Sequence, residues 1–481
     1  MLARLVLALA LLALAVPAPA HAQRPNIVFV LADDLSMDLV QYMPRVQAMM
    51  AEGASFERFV ATNSLCCPSR ASILTGRYSH STGIFRNQPP DGGFEVFTRM
   101  EERSTFATSL QDAGYRTAMM GKYLNGYRPG SRFVPPGWTE WVVAGEAYES
   151  FNYNLLVKGL GPLPPQTVRH GRRASDYLTD VIARRGRQFI AESVRSGRPF
   201  LLKLAPYMPH APFTPAPRDR DRFPGVKAPR GPLFDAAPLP GAPDWLPRDP
   251  LTPDEIARID RDYRKRVQSV QAIDRMLGDL RAQLVELGVD ENTYVVFASD
   301  NGFHMGERRL TAGKQGPWDH DIRVPLVVVG PGVTGGRVID KLAANVDLRP
   351  TFEDLAGVRS PAHVEGRSLA PLLLQEPVLS WRDATLVEHH GPPHDASDPD
   401  AQDRLAGKPP SYAALRFDAA LYVQYDNPKR APEYYEHGTD PHEQHNLWPT
   451  LPEEQRERLA RRLAQLRDCG GPDCRILDQG P

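Results

Sequence analysis

Short apolar runs, each bounded by turn residues, alternate with stretches of helical periodicity along the first three quarters of the chain. Continuous apolar runs are typical of strands that lie in a parallel sheet and are buried on both faces. The pattern therefore predicts an α/β fold in which helices cover both faces of a large, mostly parallel sheet. The predicted strands span residues 26–31, 117–120, 200–204, 294–298 and 326–329.

The clearest helix signal begins at Thr252. Thr252 and Glu255 suit a capping box, Pro253 suits the first helical position, and apolar spacing continues to Leu287. After about residue 380 the pattern becomes alternating, which is typical of antiparallel strands. We therefore expect a main domain over residues 23–380 and a small C-terminal antiparallel-sheet subdomain over residues 381–481. Its predicted strands span residues 384–388, 412–416, 420–425 and 433–435, and a charged helix follows over 453–467.

Residues 1–22 have the features of a secretory signal. Arg4 supplies a weak positive charge, residues 5–16 are apolar, and Ala20-His21-Ala22 fits a small-x-small cleavage site. The run is short for a membrane span, which needs about 20 apolar residues, although an uncleaved anchor is the alternative. We expect a secreted or periplasmic protein with no stable membrane insertion after cleavage.

Composition narrows the possible partners. The 57 basic and 58 acidic residues give a formal net charge of -1, so no field that would attract nucleic acid is implied. The 47 prolines indicate long ordered loops. Residues 207–250 are dense in proline with little periodicity, which fits either an excursion over an active-site face or a plain surface loop.

The four cysteines form two pairs of different kinds. Cys469 and Cys474 close a short Gly-Gly-Pro-Asp loop, and in an exported protein we expect them to form a disulfide. Cys66 and Cys67 are adjacent, and vicinal cysteines rarely bridge each other. If Pro68 opens a helix that ends at Thr75-Gly76, Cys66 lies at the helix N-terminus as an acidic, exposed thiol suited to nucleophilic use or modification.

Polar side chains follow two predicted strands. Asp33-Asp34 comes after the first strand, and Asp300-Asn301 comes after the strand over residues 294–298. The carboxyl ends of parallel strands are where open α/β sheets place their sites. Three carboxylates and one amide oxygen suit a hard cation, calcium before magnesium.

The stretch from Cys66 to Arg77 resembles the sulfatase signature, Cys-x-Pro-Ser-Arg followed by Leu-Thr-Gly-Arg. The resemblance implies the alkaline-phosphatase-like sulfatase fold and conversion of Cys66 to formylglycine by a formylglycine-generating enzyme. It implies that one hydroxyl of the hydrated aldehyde attacks sulfur and that the other helps to expel sulfate. Asp33, Asp34, Asp300 and Asn301 match the family's metal-binding positions, and the formylglycine at position 66 completes the coordination. Cys67 occupies the variable position and is expected to be a packing residue.

Further cations match the family's catalytic positions. The resemblance implies that Arg70 and Lys122 bind the formylglycine hydroxyl or metal-side groups, and that His210 and Lys314 hold the sulfate. Many sulfatases have a His two residues after this Lys, where the chain has Leu124. The group that deprotonates the hydrate is therefore left open, with Asn125 or a water as candidates.

Several further segments resemble the N-acetylglucosamine-6-sulfatase branch, among them residues 121–127, 299–307 and 469–474. The expected reaction is hydrolysis of a sulfate monoester on a sugar such as 6-O-sulfated N-acetylglucosamine. The alternatives are a phosphonate monoester or phosphodiester hydrolase and a non-catalytic carbohydrate-binding protein. His389-His390 is interpreted as rim or surface. The aromatic residues Trp138, Trp141, Tyr148 and Tyr153 are expected in the core rather than stacked on a sugar.

Overall fold

The structure is a computed structural model in which residues 24–391, 398, 401–402 and 404–479 are described. The predicted signal at residues 1–22 lies outside this part of the chain. The described strands are β1 (Asn26–Ala32), β2 (Ala54–Phe56), β3 (Phe59–Val60), β4 (Arg116–Lys122), β5 (Glu140–Ala144), β6 (Asn154–Lys158), β7 (Gln166–Arg169), β8 (Phe200–Ala205), β9 (Thr293–Ser299), β10 (Leu326–Val329), β11 (Arg337–Ile339), β12 (Ala343–Ala344), β13 (Ala384–His389), β14 (Tyr412–Phe417), β15 (Ala420–Tyr425) and β16 (Glu433–Glu436).

The described α-helices connect and cover these strands. They are α1 (Pro44–Glu52), α2 (Cys66–Thr75), α3 (Ser79–Thr82), α4 (Gly93–Met100), α5 (Phe106–Asp112), α6 (Leu178–Arg195), α7 (Pro253–Glu286), α8 (Asp319–Ile322), α9 (Leu348–Leu355), α10 (Ala370–Leu373), α11 (Glu453–Arg467) and α12 (Pro472–Leu477). In the described part of the chain, no helix combines the length and apolar character needed to cross a membrane.

Ten of the described strands form one sheet in the order β11-β2-β10-β9-β1-β8-β4-β5-β6-β7. Its centre is parallel, because β1 pairs with β9 and β8, and β4 pairs with β8 and β5, all in the same direction. Strands β10, β6 and β7 add antiparallel pairings towards the edges. The predicted fold class is confirmed, and each of the five predicted apolar runs lies within a strand of this sheet.

The central strand β1 shows why the sheet is covered on both faces. Val28 and Val30 belong to a core cluster with side chains of α6 and α7, whereas Ile27 and Phe29 belong to a second cluster with side chains of α2, α5 and α9. Successive side chains of a strand point to opposite faces, so a strand of continuous apolar residues needs a helix layer on each side. Burial of each such side chain contributes about 1.5–3 kcal/mol.

The long helix α7 follows the predicted capping pattern. The Thr252 hydroxyl accepts a hydrogen bond from the Glu255 N–H at 3.3 Å, and the Thr252 N–H donates to the Glu255 carboxylate at 2.7 Å. The helix begins at Pro253, ends at Glu286, and buries Ile259, Tyr263 and Val267 against the sheet. The charged residue Arg266 is also buried in this stripe.

Strands β13 to β16 form the antiparallel sheet that the alternating pattern predicted. A third core cluster lies against this sheet. It includes Trp318, just before α8, together with Leu463 and Leu466 of α11. The sulfur atoms of Cys469 and Cys474 are bonded at 2.03 Å. The domain division at residue 380 stays a prediction.

Candidate active site

The four central strands of the sheet bring the polar residues predicted from the sequence to one edge. Because β9, β1, β8 and β4 are neighbours and run in parallel, their carboxyl ends lie side by side. All of the residues that follow these strands in the predicted site are at most 2% exposed. They are Asp33 and Asp34 after β1, Asp300 and Asn301 after β9, Lys122 at the end of β4, and His210 in the loop after β8.

Cys66 is the first residue of α2, which begins there rather than at Pro68 and ends at Thr75, followed by Gly76 in the left-handed conformation with φ of 67°. Its thiol is buried, so the expectation of an exposed thiol was wrong. The Cys66 Sγ is 3.2 Å from Asp33 Oδ1, and the Lys314 ammonium donates to it at 2.9 Å. The sulfur is enclosed because it points into the carboxylate and ammonium groups at the sheet edge.

The Arg70 side chain, one turn further along α2, extends back to the carboxylates near Cys66. Its Nε donates to Asp300 Oδ2 at 2.8 Å, its Nη1 donates to the Lys122 carbonyl at 3.0 Å, and its Nη2 is 3.5 Å from Asp33 Oδ1. Burial lowers the pKa of Arg70, but the charges of Asp300 and Asp33 outweigh this effect and raise it. The guanidinium therefore stays charged and bridges the ends of β9, β1 and β4.

Two lysines neutralise the Asp33-Asp34 pair. The Lys122 ammonium donates to Asp33 Oδ2 and the Lys314 ammonium donates to Asp34 Oδ1, each at 2.7 Å. Burial raises the pKa of Asp33, but the charges of Lys122 and Arg70 outweigh this effect and hold it well below its usual range. The carboxylate of Asp33 is therefore ionised at any working pH.

His210 faces the same cluster through one ring nitrogen. Its Nδ1 lies 2.7 Å from the Ala211 carbonyl oxygen, which can only accept, so Nδ1 carries a proton. Its Nε2 lies 3.7 Å from Asp34 Oδ2. Nε2 is therefore the ring nitrogen that faces the site.

The oxygen atoms of this edge fit a hard cation. The Asn301 amide nitrogen donates to Asp34 Oδ1 at 2.7 Å and to the Gly302 carbonyl at 2.8 Å, while its buried Oδ1 has no hydrogen-bond partner among the described residues. Leaving a buried acceptor unsatisfied costs about 1–3 kcal/mol. Ligand atoms of Asp33, Asp34, Cys66 and His210 lie within 4.8 Å of one another. A divalent cation beside the acidic pair would satisfy the Asn301 oxygen.

Asp300 differs from the other two carboxylates because its oxygens are already bonded. Its Oδ1 accepts the N–H groups of Asp34 and Asn301 at 3.1 and 2.9 Å, and its Oδ2 accepts from Arg70. Burial and the charges of Asp33 and Asp34 raise the pKa of Asp300 to about 6, against the opposing charge of Arg70. This carboxylate therefore orients the main chain at Asp34 and Asn301 and the guanidinium of Arg70.

The sequence analysis missed Arg266, which is fully buried in the apolar stripe of α7. Its Nη2 donates to the Asp34 carbonyl at 2.7 Å and its Nη1 donates to the Pro209 carbonyl at 3.4 Å. Its guanidinium lies 4.2 Å from the centroid of the Phe303 ring. One side chain therefore fixes the two loops that carry Asp34 and His210. A charge at a position where helical spacing predicts an apolar residue was the available signal.

The aromatic residues divide between core and site. Trp138, Trp141 and Tyr153 are buried in the core, as the sequence analysis favoured. The ring of Tyr148 lies 5.0 Å from the Lys122 ammonium and 4.6 Å from the His210 ring. Tyr148 therefore forms part of the wall beside Lys122 and His210.

His389 is the last residue of β13 and His390 follows it, and His389 differs from the expectation. His389 is 1% exposed and lies beside the Tyr412 ring at 5.2 Å, so the interpretation as rim or surface was wrong for it. All six residues of β13 are buried, so side chains on both faces of this strand are enclosed. His390 is half-buried, stacks on Phe85 at 3.6 Å, and has its Nδ1 3.0 Å from Asp91 Oδ2.

The proline-dense segment lies against the loop that carries Lys314. The Asp235 N–H donates to the Gly306 carbonyl and the Arg308 N–H donates to the Leu233 carbonyl, each at 2.8 Å. Of the two readings of residues 207–250, the excursion over the active-site face is the one that these contacts support.

The chain belongs to the sulfatase family. The sulfatase family profile matches residues 25–358, and the profile of the N-sulphoglucosamine sulphohydrolase C-terminal region matches residues 313–468. The chain is 33% identical over 513 residues to human N-acetylglucosamine-6-sulfatase, covering 99% of this chain and 91% of that protein. It is 37% identical over 385 residues to the extracellular sulfatase SULF-1 homolog of Drosophila melanogaster, covering 77% of this chain but only 34% of that protein.

Solved structures share the fold. A protein in complex with its substrate D-glucosamine-2-N,6-O-disulfate superposes with a TM-score of 0.77 at 23% identity, covering 95% of this chain and 99% of that chain. The phosphonate monoester hydrolase of Agrobacterium radiobacter superposes with a TM-score of 0.68 at 21% identity, covering 92% and 95%. Family membership and the site together define this protein as a sulfuric ester hydrolase.

Replacing Arg266 with Gln should lower kcat/KM by about 10- to 100-fold, because the loops of Asp34 and His210 lose their common donor. The free energy of unfolding should fall by about 1–3 kcal/mol, since two carbonyls lose a buried partner. Steady-state kinetics and urea unfolding measure both effects. Arg275→Gln on the same helix, where Arg275 pairs with Asp219 at 3.2 Å, is the control. Equal losses in the two variants would contradict the assigned role.

Proposed function

We propose that the protein hydrolyses sulfate monoesters on sugars, with 6-O-sulfated N-acetylglucosamine as the representative substrate. The observation that carries the proposal is the position of Cys66, buried at the start of α2 within hydrogen-bond distance of Asp33 and Lys314. The similarity to human N-acetylglucosamine-6-sulfatase over 99% of the chain supports the sugar.

We propose that Cys66 is matured to formylglycine, so that its Sγ marks the place of a hydroxyl of the hydrated aldehyde. With the formylglycine hydrate and a divalent cation in the site, the hydrate would supply the nucleophilic oxygen and the cation would withdraw charge from the ester. Asp33, Asp34, Asp300 and Asn301 would hold that cation. The fully oxygen-based set favours calcium, with magnesium second.

The cations of this chain supply the rest of the chemistry. Lys122 and Lys314 each donate to one carboxylate of the Asp33-Asp34 pair, and we propose that the same ammonium groups contact the anionic ester. Fixed charges of this kind stabilise developing negative charge in a site that excludes water. We propose that His210 Nε2 protonates the leaving oxygen, and the contact of Nδ1 with the Ala211 carbonyl supports this choice of nitrogen.

Maturation and export belong to the same proposal. The pattern of residues 1–22 supports secretion or transport to a periplasm, and the disulfide near the C-terminus supports an oxidising compartment. A formylglycine-generating enzyme is the partner needed before secretion.

A sulfate ester and a phosphonate ester of the same chromogenic alcohol separate the two hydrolase functions. We expect a higher kcat/KM for the sulfate ester, because the similarity to a sulfatase extends over 99% of the chain. Release of inorganic sulfate is measured directly. Faster turnover of the phosphonate ester would favour the phosphonate monoester hydrolase, and no turnover of either ester would favour a non-catalytic carbohydrate-binding protein.

Active preparations should contain formylglycine at position 66 and an unmodified Cys67. Burial raises the pKa of Cys67 to about 12, so its thiol stays protonated and inert. Mass spectrometry of the peptide spanning residues 65–70 measures both states. Cys66→Ala should abolish turnover, whereas Cys67→Ala, the matched control, should keep most of it. An intact Cys66 in fully active protein contradicts the proposed nucleophile.

Removing the metal should abolish activity, and calcium should restore it better than zinc, because zinc prefers nitrogen and sulfur ligands. The measurement is activity after exhaustive chelation, with elemental analysis to confirm that the metal is gone. Asp300→Ala should behave like the metal-free enzyme. Full activity in metal-free protein would rule out the cation site.

A terminal 6-O-sulfated N-acetylglucosamine should be a better substrate than a 2-O-sulfated uronic acid. The sulfate pocket serves any sulfate ester, so discrimination must come from groups that contact the sugar. Unpaired buried polar groups can cost a wrong substrate about 10⁴-fold or more. Comparing kcat/KM for the two sugars tests the assignment. A preference for the uronic acid would reject the sugar and leave the sulfatase reaction intact.

A further inference from the structure

Lys314 extends from a loop, residues 303–315, that contains no helix or strand in the described structure. The loop is closed at its base by two backbone hydrogen bonds. The His304 N–H donates to the Gly313 carbonyl at 2.8 Å, and the Gly313 N–H donates to the His304 carbonyl at 3.0 Å. Lys314 therefore begins at the point where His304 closes the loop.

The ring of His304 meets an acceptor at each nitrogen. Its Nδ1 lies 2.8 and 3.0 Å from the two carboxylate oxygens of Asp321, and its Nε2 lies 2.9 Å from the Ala406 carbonyl oxygen. Carbonyl and carboxylate oxygens cannot donate. Both nitrogens must therefore carry hydrogen, which makes the ring an imidazolium cation. His304 is 1% exposed and Asp321 is 0% exposed, so water does not replace either partner.

Gly313 leaves the space in which these contacts form. A side chain at this position would place its Cβ 2.8 Å from both His304 Nε2 and the Ala406 carbonyl oxygen, and 2.3 Å from Gln402 Oε1. Gln402 in turn accepts the Lys314 N–H and donates to the Lys314 carbonyl, each at 2.9 Å. Gln402 thus holds the Lys314 backbone, and the carbonyl of Ala406, four residues after Gln402, contacts His304.

The charged groups around His304 favour its cationic form. Burial lowers the pKa of His304, but the charge and hydrogen bond of Asp321, with a further contribution from Glu307, outweigh it and raise the pKa. His320 on α8 has its ring centroid 5.7 Å away. Burial lowers the pKa of His320 to about 3, and Arg308 adds to this, so His320 is neutral and does not oppose the charge of His304.

We propose that His304 is a positioning residue for Lys314. The imidazolium of His304 holds Asp321 and the Ala406 carbonyl together, and so fixes the backbone from which the Lys314 ammonium reaches Asp34. The proposal rests on the proposed function only in giving Lys314 the role of holding sulfate. The pairing with Asp321 keeps the ring charged below its raised pKa, and deprotonation above that pKa removes one of the two donors.

The protonation state is tested first, by nitrogen NMR of the protein labelled at histidine. At about pH 7, above the ordinary pKa of about 6.5, His304 should show two protonated ring nitrogens, and the signal should disappear in His304→Gln. His320, identified through His320→Gln, should show a neutral ring. A neutral His304 ring at about pH 7 would overturn the proposal, whatever the substrate of the enzyme is.

A double-mutant cycle tests the link to Lys314. His304→Gln should lower kcat/KM by about 10- to 100-fold, as loss of a residue behind a catalytic group does. In the Lys314→Ala background the same change should cost less than about 3-fold, because there is no ammonium left to position. Equal losses in the two backgrounds would show a general structural role and would overturn the proposal. His320→Gln, the neighbouring control, should stay within about 2-fold of the parent protein.

Two further measurements keep the test decisive. Gln402→Ala breaks the same connection without disturbing the buried ion pair, so it replaces His304→Gln in the cycle if that variant does not fold. Calorimetric titration with inorganic sulfate gives the same cycle as ratios of Kd without turnover. Sulfate binding that follows the cycle in a protein without esterase activity would reject the proposed function and keep the role of His304. Additive effects on Kd would reject the role of His304.

Discussion

The burial of three carboxylates at one edge of the sheet is the constraint on which the site depends. Asp33, Asp34 and Asp300 are each at most 1% exposed, and an unpaired buried charge costs several kcal/mol. Each has its own cation within 2.8 Å, from Lys122, Lys314 and Arg70 respectively. Residues far apart in the chain must therefore arrive together, and the site is stable only as a whole.

The cations need support of their own, and the structure provides it through the main chain. Arg266 donates to the carbonyls of Asp34 and Pro209, while His304 connects the base of the Lys314 loop to the Ala406 carbonyl. Neither side chain belongs to the cluster of carboxylates and ammonium groups. Both use a buried positive charge to hold loops that regular hydrogen bonding leaves unfixed. Arg266 and His304, which lie behind the catalytic groups, thus determine how precisely those groups are positioned.

The sequence predicted the parts of this arrangement that local pattern determines. The five apolar runs became central strands, and the polar residues after β1 and β9 met because those strands are parallel neighbours. Short strands such as β2 and β7 were missed, because they are three and four residues long and carry no long apolar run. Arg266 and His304 were missed because their partners lie far away in the chain, at separations of 232 and 102 residues. The burial of Cys66 has the same cause, since Lys314 encloses it from 248 residues away.

The same distinction explains why the reaction follows from the structure more directly than the sugar does. The Cys66 thiol, the three carboxylates and Lys122 extend from strand ends and from α2, whose positions the sheet fixes, and Arg266 and His304 hold the loops of His210 and Lys314. Tyr148, which lies beside Lys122 and His210, is on an irregular segment between β5 and β6. Loops tolerate insertion and exchange without loss of the core. A sulfatase can therefore change its sugar by changing these walls, whereas a change in the buried charges would cost it both stability and chemistry.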